Sequence, residues 1–325
     1  MLKVGILSGW HVHARGYAKE LAESGLVQIA AIWDEDAARG RAWATELGAE
    51  FIADVDALLA REDIPAVVCN APTTDHPALI LKAAAAGKHV FTEKLLAVSA
   101  EECERLCKAI DTAGKVFCIS LPLRATKRVL YVKKLIEDGT LGRVTGARFR
   151  RSHSGVSDHW LPEYWFDVAK TGGGAMMDLG AHPAYILPFL FGAPKRLAGF
   201  TANLFGTAAD ESAIALAEFE GGILATGETS FVTNGVPDLL EVYGTAGSVF
   251  MRGEALWLNL KEGGGRPVLA DELPEEKPSP VIQFVKACIE GGGSPEHLGT
   301  KDALVMTRFI EAVYASDASG KAVFF

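Results

Sequence analysis

The sequence lacks several things that would settle a function class at once. It has five cysteines, Cys69, Cys103, Cys107, Cys118 and Cys288, an odd number without a metal-site spacing pattern. They read as reduced thiols, which excludes a disulfide framework and a thiolate metal centre. There is no basic run of five or more residues and the formal net charge is −9, so a nucleic-acid partner is not expected. The most apolar window, Ala184 to Phe191, is too short to span a bilayer and contains Pro188. Met1-Leu2-Lys3 leads directly into the strand-like Val4-Gly5-Ile6-Leu7, so no signal peptide is expected and the expected compartment is the cytoplasm. Internal repeats, low-complexity tracts and heptads are absent too. The last thing missing is an intact G-x-G-x-x-G turn. Ser8, Trp10 and His13 stand where its glycines belong, with Gly9 between them.

What is present is an ordinary soluble composition, 49% hydrophobic and 22% charged, over 325 residues. That length suits two domains. Up to about residue 120 short apolar runs alternate with helix-like stretches. Strands are expected at Val4–Leu7, Val27–Trp33, Glu50–Ile52, Ala66–Asn70, His89–Thr92 and Val116–Ser120. Helices are expected at Ala14–Ser24, Asp36–Leu47, Asp54–Ala60, Pro77–Ala86 and Ala100–Ala113. This alternation predicts an α/β fold with a doubly wound parallel sheet, which binds ligands beyond the carboxyl ends of its strands. From Val144 the pattern changes to successive strands, predicting a large, mostly antiparallel sheet, with Gly221-Gly222 as a tight turn. The helices Val281–Glu290 and Asp302–Ala315 are assigned to that second domain.

The first strand-to-helix turn, Ser8-Gly9-Trp10-His11-Val12, is where a dinucleotide pyrophosphate belongs. A large ring at position 10 should hinder close approach of backbone to phosphate, while His11 and His13 can donate hydrogen bonds to it instead. As an H-x-H pair they also suggest a metal, but no third ligand is indicated and no metal is expected. Asp34 ends the second strand, roughly where a carboxylate takes the adenosine ribose hydroxyls, and reads equally as a helix N-cap. With Glu35 and Asp36 following, a 2′-phosphate would meet negative charge, so NAD is favoured over NADP.

In Gly172-Gly173-Gly174-Ala175-Met176-Met177-Asp178-Leu179-Gly180-Ala181-His182, the three glycines let backbone lie close to something else. If the following residues are helical, Asp178 and His182 sit at i and i+4, a carboxylate and an imidazole on one face. Pro183 and Pro188 predict a kink there. Upstream, His153, Trp160, Tyr164 and Trp165 crowd a loop in a way that suits a sugar or polyol, although the aromatic residues serve equally as interdomain packing.

Taken together the chain resembles the Gfo/Idh/MocA family of NAD(P)-dependent oxidoreductases, named for glucose-fructose oxidoreductase and inositol dehydrogenase. Ala71-Pro72-Thr73-Thr74-Asp75-His76 looks like its P-N-x-x-H turn, and Gly87 to Lys94 like its G-K-H-V-x-x-E-K-P segment, with Leu95 in place of proline. Leu135 to Val144 matches a recurrent helix-to-strand junction, and Gly172 to His182 the G-G-G-x-x-x-D-x-G-x-H segment. The resemblance implies a Rossmann domain over residues 1–122 and a substrate-binding and oligomerisation domain over 123–325. It implies a catalytic set of Lys94, Asp178 and His182. Ser8, Gly9, Trp10, His11, Val12, Asp34, Ala71, Pro72, Thr73, His76, Glu93 and Lys94 are then the cofactor-binding candidates. Arg124, His153, Trp160, Tyr164 and Trp165 are the candidates for substrate. The implied activity is hydride transfer between NAD(P) and a secondary alcohol or hemiacetal carbon of a sugar, cyclitol or derivative, in a homo-dimer or homo-tetramer. A non-catalytic cofactor or sugar sensor and NAD-dependent glycoside cleavage are the alternatives.

Overall fold

Alternating period-2 and period-3.6 patterns become strands and helices close to where the sequence puts them. The computed structural model describes residues 1–252 and 255–325. In chain order the first elements are β1 (Leu2–Leu7), α1 (Ala14–Glu23), β2 (Val27–Trp33), α2 (Ala37–Leu47), β3 (Glu50–Phe51), α3 (Val55–Leu59) and β4 (Ala66–Cys69). They are followed by α4 (His76–Ala85), β5 (His89–Thr92), α5 (Ala100–Ala113) and β6 (Phe117–Ile119). Next come α6 (Lys127–Glu137), β7 (Val144–Ser152), α7 (Val168–Thr171), α8 (Ala175–Asp178), α9 (Ala181–Phe191), β8 (Arg196–Ala202), β9 (Ser212–Glu218) and β10 (Leu224–Ser230). The chain ends with β11 (Leu239–Gly244), β12 (Gly247–Arg252), β13 (Ala255–Leu260), β14 (Gly264–Pro267), α10 (Pro280–Glu290), α11 (Thr300–Ser319) and β15 (Val323–Phe324).

The chain divides into two units, Met1–Leu121 with Pro278–Thr307, and Pro122–Lys277 with Arg308–Phe325. In the first, six strands lie parallel in the order β3-β2-β1-β4-β5-β6. Helix α1 buries Ala14, Tyr17, Ala18 and Leu21, one face at helical spacing. Against it and α2 pack Ile6 and Ile32 from the sheet with Trp43 and Ala44, one apolar layer that fixes the height of the β1–α1 turn. Asp36, not Asp34, caps α2 by accepting the N–H groups of Ala38 and Arg39.

The division expected at residue 122 is followed by a return. Pro278–Thr307, assigned by sequence to the second domain, belongs to the first unit. There the Ser294 hydroxyl accepts the Phe117 N–H at 3.0 Å and the Leu298 carbonyl accepts that of Ile119 at 2.9 Å. Edge strand β6 thereby gains partners on its open side.

The second unit holds nine strands in the order β14-β13-β12-β11-β7-β10-β9-β8-β15, antiparallel except for the β7–β10 pair. One face is built from small residues, Ala213, Ala215, Ala217, Ala225 and Gly227, all buried. They admit α9 closely: a Cβ on Gly227 would stand 2.7 Å from the Cβ of Pro183. On the opposite face Phe200, Ile214, Leu216 and Leu224 are exposed. Two edge strands escape sequence reading. β14 is half glycine and β15 has two residues, so neither carries an alternating pattern.

Candidate functional site

Cofactor-binding candidates cluster at the carboxyl end of the parallel sheet, where the order reverses between β1 and β4. After β1 the chain turns at Ser8, whose φ of 72° is the conformation glycine usually supplies. Gly9 is needed for packing, because a Cβ there would lie 2.9 Å from the Trp43 ring. The Trp10 side chain is buried, so the ring expected to block the turn is folded inward. Three amides of this turn are spent inside the protein. Gly9 donates to Asp34 Oδ2 at 2.9 Å, Trp10 to Ser8 Oγ at 3.0 Å and His11 to the Asn70 carbonyl at 3.1 Å. The tip of the turn stays open, with Val12 half exposed. The residues fit a dinucleotide on two counts: the turn keeps a glycine-like path, and the buried Asn70 Oδ1 in the crevice has no hydrogen-bond partner.

Asp34 is fully engaged. Its Oδ1 accepts the Asp36 N–H and Arg39 Nη2 at 2.6 Å, and its Oδ2 accepts Gly9 N–H and Arg39 Nε at 2.9 Å. Four donors fill a carboxylate. The Arg39 side chain, one-third exposed and also paired with Glu35 Oε1 at 2.6 Å, covers it.

His76 is fully buried, and its Nδ1–H donates to the Leu95 carbonyl at 2.6 Å. Burial lowers its pKa, keeping the ring neutral, and its Nε2 has no partner. It thus props the Lys94-Leu95 turn through Nδ1. The Lys94–Leu95 peptide is cis. Ala71, Pro72 and Thr73 are buried beside it in sequence.

Glu93, 1% exposed, accepts three groups: the Tyr17 hydroxyl, His13 Nδ1 at 2.8 Å and the backbone N–H of Lys94 at 2.9 Å. Tyr17 is held in turn by Ser120 at 2.7 Å. Burial pushes the Glu93 carboxyl up, but His11, His13 and Lys94 together outweigh it and hold it well below the usual range. The Tyr17 hydroxyl is pushed well up, by burial first and then by Glu93. The third group beside the H-x-H pair, which the sequence does not indicate, is therefore the Glu93 carboxylate, eighty residues on from His13.

In the second unit the glycine run does lie against something, the Asp210 segment between β8 and β9. A Cβ on Gly174 would lie 2.0 Å from the Asp210 carbonyl oxygen, and one on Gly173 would lie 2.5 Å from the Tyr314 hydroxyl. The Asp210 carboxylate accepts the N–H groups of Gly174 at 2.8 Å and Met176 at 2.7 Å, its carbonyl accepts that of Ala175 at 2.8 Å, and Tyr314 donates to Oδ1 at 2.8 Å. Asp210 thus anchors the start of α8, a role sequence reading missed because nothing local marks it.

The single helix expected for Asp178 and His182 is two. Asp178 ends α8, His182 is the second residue of α9, and Leu179-Gly180 lies between the two helices. The break precedes Pro183, which sits harmlessly in the first turn of α9, and Pro188 lies within the helix. Asp178 Oδ2 accepts the indole N–H of Trp165 at 3.1 Å. His182 Nδ1 and the Tyr185 hydroxyl are 2.7 Å apart. Trp165 is thus a positioning group for Asp178. Arg124, a substrate candidate by sequence, is buried and donates to the Tyr185 carbonyl at 2.7 Å with its guanidinium over the Tyr185 and Phe189 rings, so it packs α9.

His153 accepts the Gly155 N–H on Nδ1 at 3.1 Å, stacks on Phe231 at 5.1 Å and tilts against Trp160 at 4.6 Å. Trp160 and Tyr164 are exposed, whereas Trp165 is buried.

A doubly wound parallel sheet with a dinucleotide turn, joined to an open-sheet unit that presents an ordered acid and imidazole, defines an NAD-dependent oxidoreductase. The comparisons agree. Residues 4–121 match the oxidoreductase family with an NAD-binding Rossmann fold, and residues 129–250 match the GFO/IDH/MocA C-terminal domain. The chain belongs to the Gfo/Idh/MocA family. It is 31% identical to the uncharacterized oxidoreductase ORF334 of Rhizobium meliloti over 71% of this chain and 68% of that one. It is 25% identical to 1,5-anhydro-D-fructose reductase of Ensifer adhaerens over 91% and 90%. Among solved structures, levoglucosan dehydrogenase in complex with NADH and levoglucosan superposes with a TM-score of 0.88, covering 99% of both chains at 23% identity. No helix among the described residues is long and apolar enough to cross a membrane.

Proposed function

We propose that this protein oxidises or reduces a secondary alcohol or hemiacetal carbon of a sugar, cyclitol or derivative, using NAD. What carries the reading is that Asp178 and His182 are each held by a named aromatic partner, Trp165 and Tyr185, on a backbone that Asp210 anchors. Side chains locked in this way are suited to proton transfer, whose rate depends on geometry before pKa. Bound NAD supplies the hydride acceptor. With Nδ1 held by Tyr185, His182 takes the hydroxyl proton at Nε2, and Asp178 favours its charged form. The family resemblance adds Lys94, two residues past β5, to the catalytic set. Exposed Trp160 and Tyr164 offer faces to a sugar ring, beside the His153 loop. The printed activity of the Ensifer adhaerens relative, on an anhydro sugar, supports this substrate class.

Assembly as a homo-dimer or homo-tetramer through the open sheet face belongs to the same reading. Its support is the exposed Phe200, Ile214, Leu216 and Leu224, together with Arg150 Nε and Thr226 Oγ1, which are buried without hydrogen-bond partners in the single chain. The place of action is the cytoplasm, where reduced thiols persist.

Titration with NAD and NADP, followed by a panel of sugars and polyols read at the nicotinamide absorbance, tests the proposal. Turnover of at least one panel member is expected, with His182→Ala lowering it by ~10²–10⁴. Tight cofactor binding with no turnover anywhere on the panel would sink the catalytic reading and leave a sensor.

A further inference from the structure

The turn that stands in for a glycine-rich loop gathers a donor set that dinucleotide binding does not require. His11, His13 and Glu93 each offer one ligand atom, and these atoms all lie within 4.8 Å of one another. His13 Nδ1 is 2.8 Å and His11 Nδ1 is 3.9 Å from the same oxygen, Glu93 Oε1, and the two rings are 4.8 Å apart. In a tetrahedral zinc site the metal–ligand distances are about 2.0–2.1 Å, so ligand atoms stand roughly 3.3 Å apart. The observed separations bracket that value, and small side-chain rotations would seat an ion.

The groups are also braced from outside, as metal ligands characteristically are. Tyr17 and the Lys94 N–H hold the Glu93 carboxylate, and Ser120 holds Tyr17. His11 is fixed through its own N–H on the Asn70 carbonyl, and an ion would take over its Nδ1 lone pair, which here accepts the His13 N–H at 3.2 Å. Glu93 and His11 are buried, whereas the His13 side chain is 51% exposed, which leaves one side open for an ion to enter.

We propose that His11, His13 and Glu93 form a binding site for a divalent transition-metal ion of the zinc class, three protein ligands with a fourth position open on the His13 side. Two imidazoles and one carboxylate suit zinc, cobalt, nickel or ferrous iron, and are too nitrogen-rich for calcium or magnesium. Entry of the ion replaces the His13–Glu93 hydrogen bond, and the proton shared there leaves to solvent. The bound ion clamps the β1–α1 turn to the end of β5, and this site stands whether or not the hydride-transfer reading does.

The full-length protein, stripped with a chelator and kept free of nucleotide, is titrated calorimetrically with Zn²⁺ alone, and its Co²⁺ form is read by visible absorption. One ion per chain and the intense bands of low-coordinate cobalt are expected. Even the outer partners of metal ligands are worth about 10–100-fold in affinity, so His13→Ala and Glu93→Gln should each weaken binding by ~100-fold or more, while His297→Ala changes nothing. His13 also donates to the buried Glu93 carboxylate, so His13→Gln, which keeps an amide donor there, is made beside His13→Ala; it should melt like the parent and bind as weakly, which keeps the test decisive if either of the other variants fails to fold. Binding below one equivalent, or parent affinity retained by a natively melting His13 variant, overturns the site.

Discussion

The carbonyl oxygen of Asp210 lies only 2.0 Å from the point where a side chain on Gly174 would begin. Gly174 is therefore required there for packing. Gly174→Ala must push the Asp210 segment away from the start of α8, breaking the three N–H contacts made there. Overpacking of this kind costs about 1–3 kcal/mol. A denaturant melt should show that loss, and turnover should fall with it, since α8 carries Asp178. A variant with parent stability and parent turnover would mean that the contact is soft and Asp210 is no anchor.

Tyr185 tests the imidazole in the same way. Tyr185 is wholly buried, and Tyr185→Phe removes only the hydroxyl 2.7 Å from His182 Nδ1. Leaving a buried ring nitrogen without that partner costs about 1–3 kcal/mol. If the lost interaction orients the base, kcat should drop by ~10-fold or more while KM for the alcohol stays near the parent value. An unchanged kcat in a folded Tyr185→Phe enzyme would remove Tyr185 from the positioning of His182.

The sequence discloses elements whose cause is local and hides relationships whose cause is distant. Strands β1, β2, β4 and β5 and helices α1, α2 and α5 are legible because apolar period, caps and turn residues agree along each stretch. The glycine run announces a close approach, yet Asp210 lies some thirty-six positions on, in a loop with no pattern of its own. The H-x-H pair shows two ligands and conceals Glu93, which reaches it only because β5 lies two strands from β1 in the sheet. Helix α10 follows the second sheet in sequence and belongs to the first unit, because chain order says nothing about where an amphipathic face is buried. Arg124 and His76 are polar residues in suggestive places, and only their burial reveals that each props a backbone carbonyl.

Arg39 bears on cofactor choice. Its guanidinium lies between Asp34 and Glu35, so the end of β2 carries two carboxylates against one cation, and NAD is preferred over a form with a 2′-phosphate. Arg39→Ala removes the cation paired with Asp34 and Glu35 and frees one acceptor position on each Asp34 oxygen, the Asp36 and Gly9 N–H groups keeping theirs. NAD affinity should hold or improve while NADP affinity falls, by about 10-fold for the loss of one charge-assisted bond. Paired fluorescence titrations of the two cofactors measure the ratio. A rise in relative NADP affinity would contradict this charge arrangement.

His153 gives the second unit a pH-dependent component. Burial lowers its pKa from the usual value near 6.5, with Asp178 pulling it up and Arg151 pushing it down. Its Nδ1 accepts the Gly155 N–H, a bond that protonation destroys. Below pH ~6.5 the unfolded chain binds this proton and the folded chain resists it, so stability is lost as pH falls through that window and is complete above it. His153→Asn, whose side-chain oxygen can also accept the Gly155 N–H, has nothing to titrate there. The difference in melting temperature between parent and variant should therefore be flat above pH ~6.5 and should shift steadily against the parent below it. A difference that stays constant from neutral pH down to 5 would show that the folded His153 takes up its proton as readily as the unfolded one.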